Sequence, residues 1–180
     1  TRGWVDHSWD ELVNTALEMD FSGIEIHNPI INTVFTGKGG PLERYNTQAT
    51  ARTLRDKGLC IPALDSSVDI SAGEEQIQAA KDLIDLAAAA GVERVVVVAQ
   101  NDDEDAIHAA LAELVPYAEA SDVVLLIESS GIFSSTTRMA GIMDRYASDY
   151  LGTLWDVHNV YRTGGETPAQ TVKNLGAYIK

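Results

Sequence analysis

The sequence is short of several things, and each shortage removes a class of function. Cysteine occurs once, at Cys60, so no internal disulfide is possible and the usage fits a reducing compartment. Basic residues are scarce: Lys plus Arg is 13 against 27 for Asp plus Glu, a formal charge of −14. Phosphate backbones and anionic lipid repel such a chain, which argues against nucleic acid and membrane surfaces as partners. No apolar run approaches the ~20 residues of a membrane span. No signal peptide opens the chain and neither does a Met, so the reading expects residues upstream of Thr1 and a cytoplasmic location. What is present is an ordinary globular balance. The 180 residues are 45% hydrophobic and 22% charged, enough for one domain over 1–180 with a sizeable core.

Two kinds of segment alternate. Short apolar, β-branched runs predict buried strands at 23–27, 59–64, 94–98, 123–128 and 152–157, with a sixth starting at 177–180. Between them lie helical patterns. Ser8 and Glu11 have capping-box spacing ahead of the first helix. Further helices are predicted over 47–57, 74–90, 102–120, 136–146 and 168–174, with Gly58 and Gly91 as stops and Pro168 at a first helical position. Such alternation implies a parallel sheet with right-handed crossovers. The strands recur about every 30 residues, close to the period of a (β/α)8 barrel, which uses roughly 250 residues for eight units. Only five or six strands are visible, so a complete, open, doubly wound sheet is the alternative. It lacks the Gly-rich dinucleotide fingerprint after its first strand.

In parallel α/β folds ligands bind beyond the C-terminal ends of the strands. Two loops there stand out: the long 28–46 loop with its glycines at 37, 39 and 40, and the Ser-rich stretch after Glu128. Glu128 ends an apolar strand, where a buried carboxylate needs a partner or a metal; a strand-end acid facing water is the plain alternative. Asp156 and His158 end the next predicted strand at a spacing that points both to one face. Glu, Asp and His together suit a hard or borderline divalent cation. Glu25 and His27 repeat that spacing on the first strand and suit polyol hydroxyls or support of a metal ligand; a structural role is the alternative. Asp65, Ser66, Gln100 and Asn101 follow strands and read as caps or hydroxyl contacts. Arg162 suits an anionic or hydroxylated substrate, or lies idle on the surface. Cys60 reads as a small core residue and His108 as a helix residue without chemistry.

Three stretches taken in order, Gly23-Ile24-Glu25-Ile26-His27, Leu126-Ile127-Glu128 and Leu154-Trp155-Asp156-Val157-His158-Asn159-Val160-Tyr161-Arg162-Thr163-Gly164-Gly165-Glu166-Thr167-Pro168, resemble the sugar phosphate isomerase/epimerase family of the xylose isomerase-like TIM-barrel superfamily. The resemblance implies a (β/α)8 barrel of which this chain holds about strands two to six and the start of seven. It implies a divalent metal (Mn, Mg, Zn or Co) held by a Glu after strand five, an Asp after strand six, a His after strand seven and a Glu after strand eight. Glu128 and Asp156 match the first two. The others would lie beyond Lys180, so these residues alone are expected to bind metal weakly and not to turn over. Relatives carry a substrate-contacting His three residues after the Asp; Asn159 stands there, with His158 one residue earlier, and either is a candidate. Glu25, His27, His158, Asn159 and Arg162 are the expected substrate contacts. The implied activity belongs to carbohydrate metabolism: isomerisation or epimerisation of a ketose, aldose or polyol by proton transfer through an enediolate, with Glu128 as one transferring carboxylate. Two alternatives stay open. One is a dehydratase or lyase acting on an inosose-like cyclic polyol. The other is a non-catalytic half-barrel whose open edges favour a second copy or another partner.

Overall fold

The computed structural model describes residues 7–29, 41–42 and 46–180. Most of the long 28–46 loop, with its glycines, therefore lies outside the described residues. Five strands form one sheet: β1 (Ile26–His27), β2 (Leu64–Asp69), β3 (Arg94–Val98), β4 (Val124–Glu128) and β5 (Leu151–Leu154). Every neighbouring pair is parallel and the spatial order is the sequence order, β1-β2-β3-β4-β5. A doubly wound sheet needs a point where the order reverses. None occurs here, so each crossover winds the same way and the sheet is the wall of a barrel. Ile179 continues it: the backbone there pairs in parallel with Thr153, outside β5. The chain is thus an α/β partial barrel.

Among the described residues there are seven α-helices: α1 (Trp9–Glu18), α2 (Thr47–Asp56), α3 (Glu74–Ala90), α4 (Glu104–Ala120), α5 (Thr136–Tyr146), α6 (Val157–Arg162) and α7 (Pro168–Leu175). Their ends follow local chemistry. Ser8 and Glu11 close a capping box on α1, and Thr167 and Gln170 close another on α7. Asp103 caps α4 by accepting from the Ala106 N–H at 3.0 Å. Gly91, at φ 68°, ends α3 in the left-handed region that glycine enters without strain.

The alternation of side chains along the strands separates two faces. Ile26, Leu64, Val95, Val97, Leu125, Ile127 and Leu151 pack into the main core with the inward stripes of α3, α4 and α5. Ala63, Val96 and Leu126 form a separate small cluster on the other side, flanked by Val124 and Leu154. Helices thus cover one face, and the second is the barrel's inner wall. Register assigns His27, Asp65, Val96, Leu126 and Gly152 to one inward-facing row. Gly152 is small for a reason: a Cβ there would lie 2.9 Å from Lys180 and 3.0 Å from Leu126.

Three sequence expectations need correction. The second strand is Leu64–Asp69 rather than 59–64. Pro62 has no N–H to give a ladder, and the earlier segment makes only an isolated contact, Cys60 with Gly23. The polar run Asp65-Ser66-Ser67-Val68-Asp69 reads as loop in sequence, yet pairing with β3 makes it strand; the Ser66 hydroxyl is satisfied by donating to the Val96 carbonyl at 2.8 Å. Cys60 is exposed rather than core. It lines a cleft of about 400 Å³ with Leu54, Arg55, Ile61 and Arg94, at the N-terminal end of the sheet and away from the strand C-termini. Finally, β5 stops at Leu154, and Val157–Arg162 is a helix.

Candidate active site

Glu128 and Asp156 lie at the same end of the sheet, as their positions on parallel strands require. Glu128 closes β4 opposite Leu154 of β5, and Asp156 lies two residues further along. The two loops that carry them are tied together. The Ser129 N–H donates to the Leu154 carbonyl at 3.0 Å, and the Asp156 N–H donates to the Ser129 hydroxyl at 2.8 Å. Glu128 is 7% exposed, so its carboxyl belongs to the interior of this rim rather than to water.

Asp156 is the N-cap of α6. One carboxylate oxygen accepts from the Asn159 N–H at 2.8 Å, and the other accepts from the Asn159 side-chain amide at 3.0 Å. Two of its roughly four acceptor positions are thus used locally. This corrects the strand reading of Asp156 and His158. Past Leu154 the backbone turns helical, so two residues no longer restore the same direction, and His158 sits exposed on the first turn of α6. Arg162, in the last turn of α6, is exposed as well. The amide and backbone N–H of Asn159 serve Asp156.

On β1 the inward-facing pair behaves differently. The His27 ring Nδ1 lies 2.6 Å from an Asp65 carboxylate oxygen, with the two side chains 14% and 5% exposed. Asp65 is therefore the register partner that holds this imidazole, not a cap. Glu25, two residues earlier, is exposed. The backbones of Gln100 and Asn101 are tied into the rim. Their backbone N–H groups donate to the Asp69 carboxylate at 3.1 Å and to the Ser71 hydroxyl at 2.9 Å.

Sequence reasoning missed Glu166 as a structural group. Its carboxylate accepts from the Thr136 N–H at 2.9 Å and from the Thr136 hydroxyl, so it sits on the positive N-terminal end of α5. The signal was present, since Glu166 closes the Tyr161–Glu166 stretch, but nothing in the sequence names a partner 30 positions earlier.

Among the described residues no group of three or more His, Cys, Asp or Glu side chains is arranged to hold a metal ion. The donors that are present fit a hard divalent cation in part: two carboxylates from consecutive strands, one buried and one with acceptor positions to spare. Magnesium is commonly bound through one or two carboxylates.

The family model of the xylose isomerase-like TIM barrel matches residues 13–180. No curated protein matches the chain. Among solved structures, a D-tagatose 3-epimerase-like protein superposes with a TM-score of 0.76 at 18% identity, over 97% of this chain and 71% of that one. An L-ribulose 3-epimerase gives 0.75 at 17%, over 98% and 65%. A xylose isomerase-like TIM barrel protein from Mycobacterium smegmatis, in complex with magnesium, gives 0.74 at 18%, over 94% and 63%. The chain spans about two thirds of the length of these structures, and at such identities the likeness is one of fold. The match over 13–180, joined to the sequential parallel strand order, places the chain in the xylose isomerase-like TIM barrel family.

Proposed function

We propose that the full-length protein is a cytoplasmic, divalent-metal-dependent isomerase or epimerase that moves a proton beside the carbonyl of a ketose, aldose or related polyol. The observation that carries this reading is Glu128, a carboxylate 7% exposed at the C-terminal end of an apolar strand, with Asp156 two residues past the end of the next strand, at the same rim. Two solved neighbours described as a 3-epimerase or 3-epimerase-like protein support the substrate class, and the magnesium complex supports the metal.

Glu128 and Asp156 would hold the cation, which supplies Lewis acidity to the sugar oxygens when bound. Glu128 takes the proton from the carbon next to the carbonyl, and its burial keeps bulk water from competing for that proton. Asp156 is a ligand only, oriented by the two donors of Asn159. His27, held by Asp65 on the inner wall, and Glu25 are assigned to substrate hydroxyls on the β1 side. His158 and Arg162, exposed on α6, are assigned to the outer end of the substrate. The residues that complete the metal set and the second proton-transfer group belong to the rest of the protein.

The test is exchange of substrate C–H protons into deuterated water by the full-length enzyme. Glu128→Gln should lower the exchange rate by about 10²–10⁴, the usual share of a general base, while some metal binding remains. Asp156→Asn should lose activity mainly through metal loss, with partial recovery in excess metal. Wild-type exchange in Glu128→Gln would remove the base from the mechanism. A product lighter than the substrate by one water would replace epimerisation with dehydration.

A further inference from the structure

Resting on that reading, we infer that Glu166 is a positioning residue that fixes Asp156 through a latch between α5 and the α6 segment. The hydrogen-bond directions around Thr136 are determined. The Asn174 side-chain amide donates to the Thr136 hydroxyl oxygen at 2.8 Å. The Thr136 O–H is therefore left to donate to one Glu166 oxygen, while the Thr136 N–H donates to the other at 2.9 Å. Only a carboxylate accepts at both positions. Glutamine would present an N–H₂ to one of two donors.

Thr136 is wholly buried, so the anchor is firm. From it the constraint runs to the site in short steps. The Glu166 N–H donates to the Val160 carbonyl at 3.3 Å. The Asn159 carbonyl accepts the Thr163 N–H at 2.9 Å, which closes the end of α6. Gly164 packs against the Ser134 and Val160 carbonyls with no room for a side chain. At the start of the same six-residue helix, Asn159 holds both oxygens of Asp156. Alone, a helix of six residues is far below the length at which helices persist in water. Its shape, and with it the direction of Asp156, depends on being pinned at both ends. Ser129 pins the first end and Glu166 the second.

The experiment is Mn²⁺ titration calorimetry on the full-length protein, with amide hydrogen exchange on the same samples. Glu166→Gln and Thr136→Val should each weaken Mn²⁺ binding by about 10–100-fold, the range for groups that orient a ligand. The double variant should be no weaker than the weaker single, because both break one latch. Amides of Asn159, Val160 and Thr163 should exchange faster while those of α3 stay unchanged. Leu83→Ala in α3 is the control: it should lower the melting temperature without moving Mn²⁺ affinity. Unchanged affinity and unchanged α6 exchange in Glu166→Gln would overturn the latch, as would additive losses in the double variant. If the wild type takes up no Mn²⁺, the metal reading fails and exchange at α6 alone decides the latch.

Discussion

Replacing Gly164 by alanine tests the packing of the two rim loops at its tightest point. A Cβ at this position would overlap the Ser134 carbonyl oxygen and lie 2.8 Å from that of Val160. Both obstacles are backbone and cannot rotate aside. The protein has two ways out. It can keep the loop in place and absorb the overlap, which costs roughly 1–3 kcal/mol for an added methyl in a packed position. Alternatively, the segment can swing outward, since it is exposed on its other side. That swing strips Glu166 from Thr136 and forfeits hydrogen bonds to a charged group, each worth about 1.5–3 kcal/mol. The first route predicts a loss of about 1–3 kcal/mol and the second, with both Thr136 bonds gone, about 3–6 kcal/mol, so the melting temperature should fall by at least about 2–4 °C for a chain of this size. Thermal and urea melts followed by circular dichroism are the assay. Gly141, inside α5 with open space around its Cα, is the internal standard: Gly141→Ala should stabilise by up to about 1 kcal/mol. A Gly164→Ala protein melting within about 1 °C of wild type would show that the loops are not in contact as described.

Two further outcomes are expected. Glu11 has its carboxyl held below the ordinary value of 4.5, first by the Ser8 backbone N–H and then by the Ser8 hydroxyl. Its contribution to α1 is complete above that ordinary value and disappears as pH falls through the lowered one. The stability gap between wild type and Glu11→Gln should therefore be open at pH 7 and close in acid; a gap that widens in acid would contradict the capping box. Cys60 is exposed, so one equivalent of Ellman's reagent should react promptly with the native protein. Reaction only after denaturation would restore the buried thiol that its place in an apolar run suggests.

What was legible in the sequence was whatever is decided locally. Residues 74–90 form a helix because two glutamates open it, an apolar stripe faces one way and a left-handed glycine closes it, all within one segment. β3 and β4 are apolar enough to have no competing reading. β2 was displaced because its polar half becomes strand only by pairing with β3, which no local pattern announces. Glu128 and Asp156 are candidates because each closes an apolar run, a position visible in one dimension; Glu128 does end β4, whereas Asp156 caps α6. Their mutual arrangement followed from the strands being parallel. The roles of His27 and Glu166 were not legible. Each depends on a partner 38 or 30 positions away, brought near by the crossovers. The helix at 157–162 was missed because Val, His, Asn, Val and Tyr are weak helix formers, and tertiary contacts hold it in place of propensity.

The two sides of the rim differ in a way that supports the proposed placing of the chemistry on the β4–β5 side. Beyond β2 and β3, the Asp69 carboxylate accepts from the Ser71 backbone and hydroxyl and from the Gln100 N–H, while the Ser71 hydroxyl accepts from the Asn101 N–H. Those groups consume one another's capacity and leave a stiff, closed corner. Gly131 leans on that corner: a Cβ there would lie 2.7 Å from the Ala99 carbonyl. The loop after Glu128 is therefore braced against β3 on one flank and latched to the α6 segment on the other. A carboxylate pair held between two braced loops keeps its spacing when charge is brought to it, which is the condition a metal-binding rim has to meet. The same bracing explains why polar residues of similar type play unlike parts here. Asp69 spends its acceptors on neighbours across a rim loop, whereas Asp156 takes its two donors from a single residue of its own helix and keeps its remaining acceptor positions.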